Sequence, residues 1–65
     1  MITAALILAL GASQIPGRLY GYRAVYNSID DNYAAQELLR DAGVRYHAEI
    51  IDDDDLLYII EFWEA

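Results

Sequence analysis

The chain of 65 residues has no cysteine and no lysine, and it contains one proline and one histidine. The missing cysteines exclude disulfides and thiolate metal sites. A single imidazole excludes a His-rich zinc site, so we expect no cofactor and no structural metal. The lack of cysteine is also compatible with the cytosol, where we expect the protein to reside.

A chain this short has little interior. A domain of about 60 residues buries only about 60 % of the surface that its unfolded chain exposes. Small scaffolds are commonly stabilised by disulfides, a metal or oligomerisation, and the composition favours the third. Hydrophobic residues nevertheless make up 57 % of the sequence. We expect one small domain over residues 1–65 and, because it cannot bury all these side chains, a homodimer or another apolar interface.

Negative charge dominates the polar residues. Eleven acidic residues against four arginines give a formal net charge of -7. Such a field repels nucleic acid and membrane surfaces and attracts basic protein surfaces. We therefore expect a basic protein surface as the partner, with no direct binding to nucleic acid or to a membrane.

The first ten residues, MITAALILAL, are apolar except for one threonine. No basic residue precedes the run, as one does in a secretory signal, and the run is shorter than the ~20 residues that span a bilayer. We interpret it as a buried element. Because it lacks polar positions to set a period, both a helix and a strand fit. We favour a strand, since the next segment needs a neighbour.

Residues 11–17 contain Pro16 followed by Gly17, a pair that favours a turn. Residues 18–26 then alternate and are rich in tyrosine, which predicts a strand. Tyr20, Tyr22 and Tyr26 share one face of that strand. Gly21 within it indicates a bulge or a close backbone approach.

A helix is predicted between Ser28 and Gly43. Ser28 is a suitable N-cap, and Asp31 stands three residues later in the capping-box position, although an N-cap at Asp30 or Asp31 fits equally. Gly43 is a natural residue just past the helix end. The apolar stripe of this helix consists of Ala34, Ala35, Leu38, Leu39 and Ala42.

Residues 44–51 and 56–63 read as two strands of a hairpin. A two- or four-residue loop would place Ile50 opposite Leu57 and put Ile59 and Trp63 on the face of Tyr46, where the helix packs. A three- or five-residue loop would reverse this parity. The predicted fold is α+β, with a four-stranded antiparallel sheet, one helix on one face and the order β-β-α-β-β.

Four consecutive aspartates connect these strands, and three interpretations fit them. They form a solvated hairpin tip, a recognition surface for a basic partner, or a weak Ca²⁺ or Mg²⁺ site that lacks the EF-hand spacing. For the second interpretation, tyrosine is also relevant because it is enriched in interface cores. The candidate partner-binding residues are Asp52, Asp53, Asp54, Asp55, Glu49, Asp30, Asp31, Glu37 and Tyr58.

No pattern indicates catalysis. His47 is the only imidazole, there is no Gly-x-Ser-x-Gly, and the four glycines form no phosphate-binding fingerprint. We predict a non-enzymatic protein that occupies a basic surface, with nucleic-acid mimicry as its mode of inhibition. Its composition is typical of inhibitors that viruses and mobile elements direct against host nucleases or defence complexes. The alternative is a self-assembling structural or regulatory subunit, or an antitoxin-like partner, in which the aspartates are only a solvated turn.

Overall fold

The computed structural model describes residues 2–52 and 56–64. This part of the chain forms two helices and four strands. In chain order they are α1 (Ala4–Leu10), β1 (Ser13–Gln14), β2 (Gly21–Tyr26), α2 (Ile29–Asp41), β3 (Arg45–Asp52) and β4 (Leu56–Trp63).

The strands form one antiparallel sheet in the order β1-β2-β4-β3. β4 therefore lies in the middle and contacts both β2 and β3. Helix α2 packs against β2, β3 and β4. The predicted α+β fold, a four-stranded antiparallel sheet with one main helix on one face, is confirmed.

The preference for a strand over residues 2–10 was wrong, and the helical alternative is correct. The Thr3 hydroxyl accepts a hydrogen bond from the Leu6 N–H and caps α1. Gly11 ends the helix with φ +63°. The missing fourth strand is the two-residue β1, which lies inside the predicted loop and pairs with β2.

Helix α2 has both predicted caps. The Ser28 hydroxyl accepts from the Asp31 N–H at 3.5 Å. At the other end Gly43 takes φ +70°, and the Val44 N–H donates to the Leu39 carbonyl at 3.0 Å. This six-to-one hydrogen bond is the Schellman arrangement, in which a glycine just past the helix satisfies carbonyls that would otherwise lack donors.

The register of the hairpin decides between the two parities left open by the sequence. Ala48 pairs with Ile60 and Tyr46 with Phe62, and the Asp52–Leu56 pair closes the ladder. Three residues therefore separate the strands, which is the reversed parity. Because adjacent residues point to opposite faces, a change of one residue in the loop moves a whole strand's side chains across the sheet. Ile59 and Trp63 thus lie on the face away from the helices.

The core lies between the helices and one face of the sheet. Its buried members are Leu10, Ala35, Leu39, Val44, Ile60 and Phe62. Leu39, Ile60 and Phe62 are fully inaccessible to solvent. Tyr22 stacks on Phe62 with ring centroids 5.6 Å apart. In α2 the buried stripe is Asn32, Ala35 and Leu39, whereas Ala34 and Leu38 of the predicted stripe are exposed.

The opposite face of the sheet carries no helix in the part of the chain that the structure describes. Its apolar side chains follow the centre of the sheet, and its charged ones include the Arg23–Glu61 ion pair at 3.0 Å. The close approach predicted at Gly21 is present, because a Cβ atom added at this position would lie 3.2 Å from the Cβ of Arg18. The apolar residues of this face are Val25, Leu57, Ile59 and Trp63.

Candidate partner-binding site: an acidic end beside an apolar groove

The amino end of α2 lies over the hairpin end of the sheet. A groove there is lined by Ile29 and Tyr33 from the helix and by Ile50 and Tyr58 from the sheet. Ile50 and Tyr58 are directly opposite each other, two residue pairs before the last pair of the β3–β4 ladder. The helix start and the end of β3 therefore belong to the same end of the molecule.

Four acidic residues lie at this end of the molecule, which we call the acidic end and define as Asp30, Asp31, Glu49 and Asp52. The first two are exposed in the first turn of α2. Glu49 is exposed on β3, and Asp52 is the last residue of that strand. Residues from two distant parts of the sequence are thus brought together by the path of α2 across the sheet.

The arginines lie at the opposite end. Arg45 pairs with Trp63 at the beginning of β3, and Arg23 pairs with Glu61. Arg18 lies beside Gly21, where β2 begins. Arg40, in the last turn of α2, donates to the Tyr46 hydroxyl at 3.1 Å. The sequence has only these four basic residues besides His47, so its arginines all lie toward this end. The acidic residues Asp41, Glu61 and Glu64 lie there as well, so the acidic end differs from this one mainly in having no arginine.

Two ion pairs are found among residues 2–52 and 56–64. Arg23–Glu61 is the arginine pair, and its two side chains are partly exposed. The second pair joins His47 to Glu49 at 3.8 Å, and it is ionic only when the imidazole is protonated. Neither Asp30 nor Asp31 has a cation within 4.0 Å in this part of the chain. Their carboxylates interact favourably with the positive end of the α2 dipole, and they also present negative charge to the solvent.

The groove beside these acids has a volume of about 210 Å³. Three of its apolar side chains are largely exposed: Ile29 at 41 %, Tyr33 at 59 % and Ile50 at 58 %. The buried Asn32 also lines it, and its Oδ1 accepts from the Gln36 amide at 2.6 Å. The site therefore offers apolar contact area with carboxylates at its edge.

The predicted partner-binding residues divide into three groups. Asp30, Asp31, Glu49 and Asp52 belong to elements that end or begin at the same end of the molecule, and the half-buried Tyr58 lines the groove. Glu37 is exposed farther along α2. It lies near Arg40, whose pKa is raised first by the hydrogen bond to the Tyr46 hydroxyl and to a smaller extent by the charge of Glu37. The predicted binding residues Asp53, Asp54 and Asp55 lie outside the described residues.

Sequence reasoning missed the apolar half of this site. Ile29, Tyr33 and Ile50 were not singled out as binding residues. Ile29 and Tyr33 stand four positions apart on α2, a spacing that places them on one side of a helix. That spacing was the only available signal, because nothing in the sequence shows that Ile50 lies across from them.

Tyr26 is the titratable group most affected by its surroundings at this end. It pairs with Tyr58, and its hydroxyl donates to the Leu10 carbonyl at 2.6 Å. Burial raises the pKa of the Tyr26 phenol, and the negative charge of Asp31 raises it further. The phenol is therefore held as a neutral hydrogen-bond donor.

The remaining observations bear on other chemistry. Within the described residues no three His, Asp or Glu side chains come together as they would around a metal ion. Neither helix described here is long and apolar enough to cross a bilayer. No protein-family model, curated protein or solved structure matches the chain.

Proposed function

We propose that this chain is a small, non-enzymatic binding protein whose acidic end occupies a basic surface of another protein. The observation that supports this proposal is the separation of charge: Asp30, Asp31, Glu49 and Asp52 share one end, and all four arginines lie toward the other. Separated charges orient a molecule during diffusional encounter and raise the association rate with a complementary surface.

The groove specifies the partner further. Its 210 Å³ is below the roughly 300–1,000 Å³ of typical small-molecule sites, so it suits a protein side chain better than a free ligand. Tyrosine and isoleucine side chains at its rim provide contact area for an apolar anchor. The complementary surface is therefore one in which an apolar side chain is surrounded by lysine or arginine.

Nucleic-acid-binding proteins carry such basic surfaces. Because neutralising phosphates with lysine and arginine dominates their affinity for DNA and RNA, carboxylates held on a rigid scaffold compete for the same groups. The acidic end presents carboxylates from a helix, at Asp30 and Asp31, and from a strand, at Glu49. We accordingly place the protein among inhibitors that act by nucleic-acid mimicry, of the type that viruses and mobile elements use against nucleases or defence complexes.

The experiment compares two charge-matched variants as baits in a lysate of the native host. Asp30→Asn with Asp31→Asn removes two charges from the acidic end, and Glu37→Gln with Asp41→Asn removes two from the middle and end of the same helix. We expect the wild type and the second variant to capture the same nucleic-acid-binding protein, identified by mass spectrometry, and the first to lose it. Equal capture by both variants, or equal loss, would show that position does not matter and would exclude the acidic end as the site.

The aspartate run provides a second comparison. Replacing Asp52, Asp53, Asp54 and Asp55 together by Asn is expected to abolish capture while the far-ultraviolet circular dichroism stays unchanged. Capture that survives this replacement would assign the run to a solvated turn, as in the alternative interpretation of the sequence.

A further inference from the structure

We propose that β3 is a dimerisation edge, through which two copies of the chain pair antiparallel about a twofold axis at His47. The sheet order leaves β3 with a neighbour on one side only among the described strands. It is eight residues long, RYHAEIID, and contains no proline. Charged side chains can also protect an edge from pairing, but those of β3 are of both signs. β1, at the other edge, has only two residues.

The hydrogen bonds of the sheet show which backbone groups of β3 point outward. The Glu64 N–H donates to the Tyr20 carbonyl across from it, so the even-numbered residues of β4 bond toward β2. In an antiparallel ladder the intervening residues bond to the other neighbour, and these pair with Arg45, His47 and Glu49 of β3. The N–H and C=O groups of Tyr46, Ala48 and Ile50 are therefore directed away from the sheet.

An axis at His47 uses these outward groups. Tyr46 then lies opposite the partner's Ala48, and the two residues exchange both backbone hydrogen bonds. His47 lies opposite the partner's His47, and Arg45 opposite the partner's Glu49. The His47–His47 and Arg45–Glu49 pairs exchange no backbone hydrogen bonds, and in such pairs the facing side chains approach most closely.

The charges of β3 are complementary to themselves in this register. Arg45, His47 and Glu49 alternate along the face that carries no helix, and antiparallel pairing about His47 forms the Arg45–Glu49 contact twice. Opposite charges directly across strands stabilise a sheet, whereas like charges destabilise it. The Glu49 carboxylate already lies 3.8 Å from His47, which places it close to the axis.

Neighbouring registers lose this match. An axis at Tyr46 places Arg45 opposite the partner's His47, and an axis at Glu49 places two carboxylates opposite each other. An axis at Ala48 removes both arginine–glutamate pairs. The sequence of the edge thus selects one register, and the two sheets join into a continuous sheet of eight strands.

Charge reversal tests both the dimer and its register, with sedimentation equilibrium as the measurement. In a dimer of Arg45→Glu, two carboxylates face each other at both pairs of positions 45 and 49. In a dimer of Glu49→Arg, two cations face each other at both pairs. Each single variant is expected to weaken the dimer by about tenfold or more, because two attractive cross-strand pairs become repulsive. Far-ultraviolet circular dichroism confirms that each remains folded, as both side chains are exposed.

The decisive sample is an equimolar mixture of the two single variants. In the mixed dimer every position 45–49 pair is again an opposite-charge pair, so the wild-type dissociation constant should return, as it should in the double variant R45E/E49R. A wild-type chain that sediments as a monomer at micromolar concentration would overturn the proposal. So would a wild-type dimer that neither single variant weakens, or a mixture that associates no better than its components. Glu49 belongs to both proposed surfaces, but the partner-capture experiment varies Asp30 and Asp31, which are unchanged in all these variants. A failure of the dimer proposal therefore leaves that experiment unaffected.

Discussion

The Tyr26 hydroxyl donates a 2.6 Å hydrogen bond to the carbonyl of Leu10. Leu10 is the last residue of α1, where the final carbonyls of a helix have no intrahelical donor. The bond thus connects the end of α1 to the end of β2 through a phenol that packs against the core. It explains how a seven-residue helix, too short to be stable alone, keeps its position on the sheet.

Tyr26→Phe is expected to reduce the free energy of unfolding by about 1 kcal/mol, since it removes this hydrogen bond and leaves a partly buried carbonyl without its donor. Urea unfolding followed by circular dichroism measures the change. Tyr20→Phe is the matched control, because Tyr20 is 64 % exposed and should lose almost nothing. Equal losses in the two variants would mean that the Tyr26–Leu10 bond does not hold α1.

Alkaline pH should selectively weaken the wild type. The pKa of Tyr26 is raised in the folded state, by burial first and by the charge of Asp31 second. At pH values between the pKa of Tyr26 in the unfolded chain and its pKa in the folded protein, the folded protein therefore binds more protons than the unfolded chain does. The contribution of Tyr26 to the free energy of unfolding is therefore fully present below an ordinary tyrosine pKa of about 10, and it is lost as the pH rises through the pKa of Tyr26 in the folded protein. The stability difference between wild type and Tyr26→Phe should shrink above that pH. A constant difference in urea titrations across this range would contradict the assignment.

The register can be tested with two isoleucines that are adjacent in β4. Ile60 faces the helices with no exposed surface, and Ile59 faces away from them. Ile60→Ala should cost about 2–5 kcal/mol, as expected for a fully buried site, and Ile59→Ala clearly less. Thermal and urea unfolding of both variants measures the difference. A larger loss of free energy of unfolding in Ile59→Ala would indicate the opposite parity, in which Trp63 instead of Phe62 packs under α2.

Local signals in the sequence were sufficient for α2 and for the existence of the hairpin. Ser28 and Gly43 each act through hydrogen bonds to residues a few positions away, so their roles depend little on the rest of the chain. The parity of the hairpin was not predictable, because it depends on whether the aspartate run contributes two, three or four loop residues. α1 was ambiguous for a different reason: without polar positions its period cannot be measured, and Thr3 alone marks its start.

The acidic end was only half predictable. Charge and position in the sequence identified Asp30, Asp31, Glu49 and Asp52 individually, but their location at one end of the molecule depends on the direction in which α2 crosses the sheet. The separation of the arginines was likewise hidden, since Arg18, Arg23, Arg40 and Arg45 are spread through the middle of the chain. The groove requires contact between α2 and β3, which no spacing in the sequence encodes.

The most direct test of the central claim is the salt dependence of affinity for the captured partner. Binding constants would be measured by calorimetry over a series of salt concentrations for the wild type, for Asp30→Asn with Asp31→Asn, and for the control Glu37→Gln with Asp41→Asn. If the acidic end makes the contact, wild-type affinity falls steeply with salt as exposed charges are screened, the first variant shows a shallower slope, and the control keeps the wild-type slope. Affinity that is independent of salt, or identical slopes for all three proteins, would contradict the proposal that these carboxylates bind the partner.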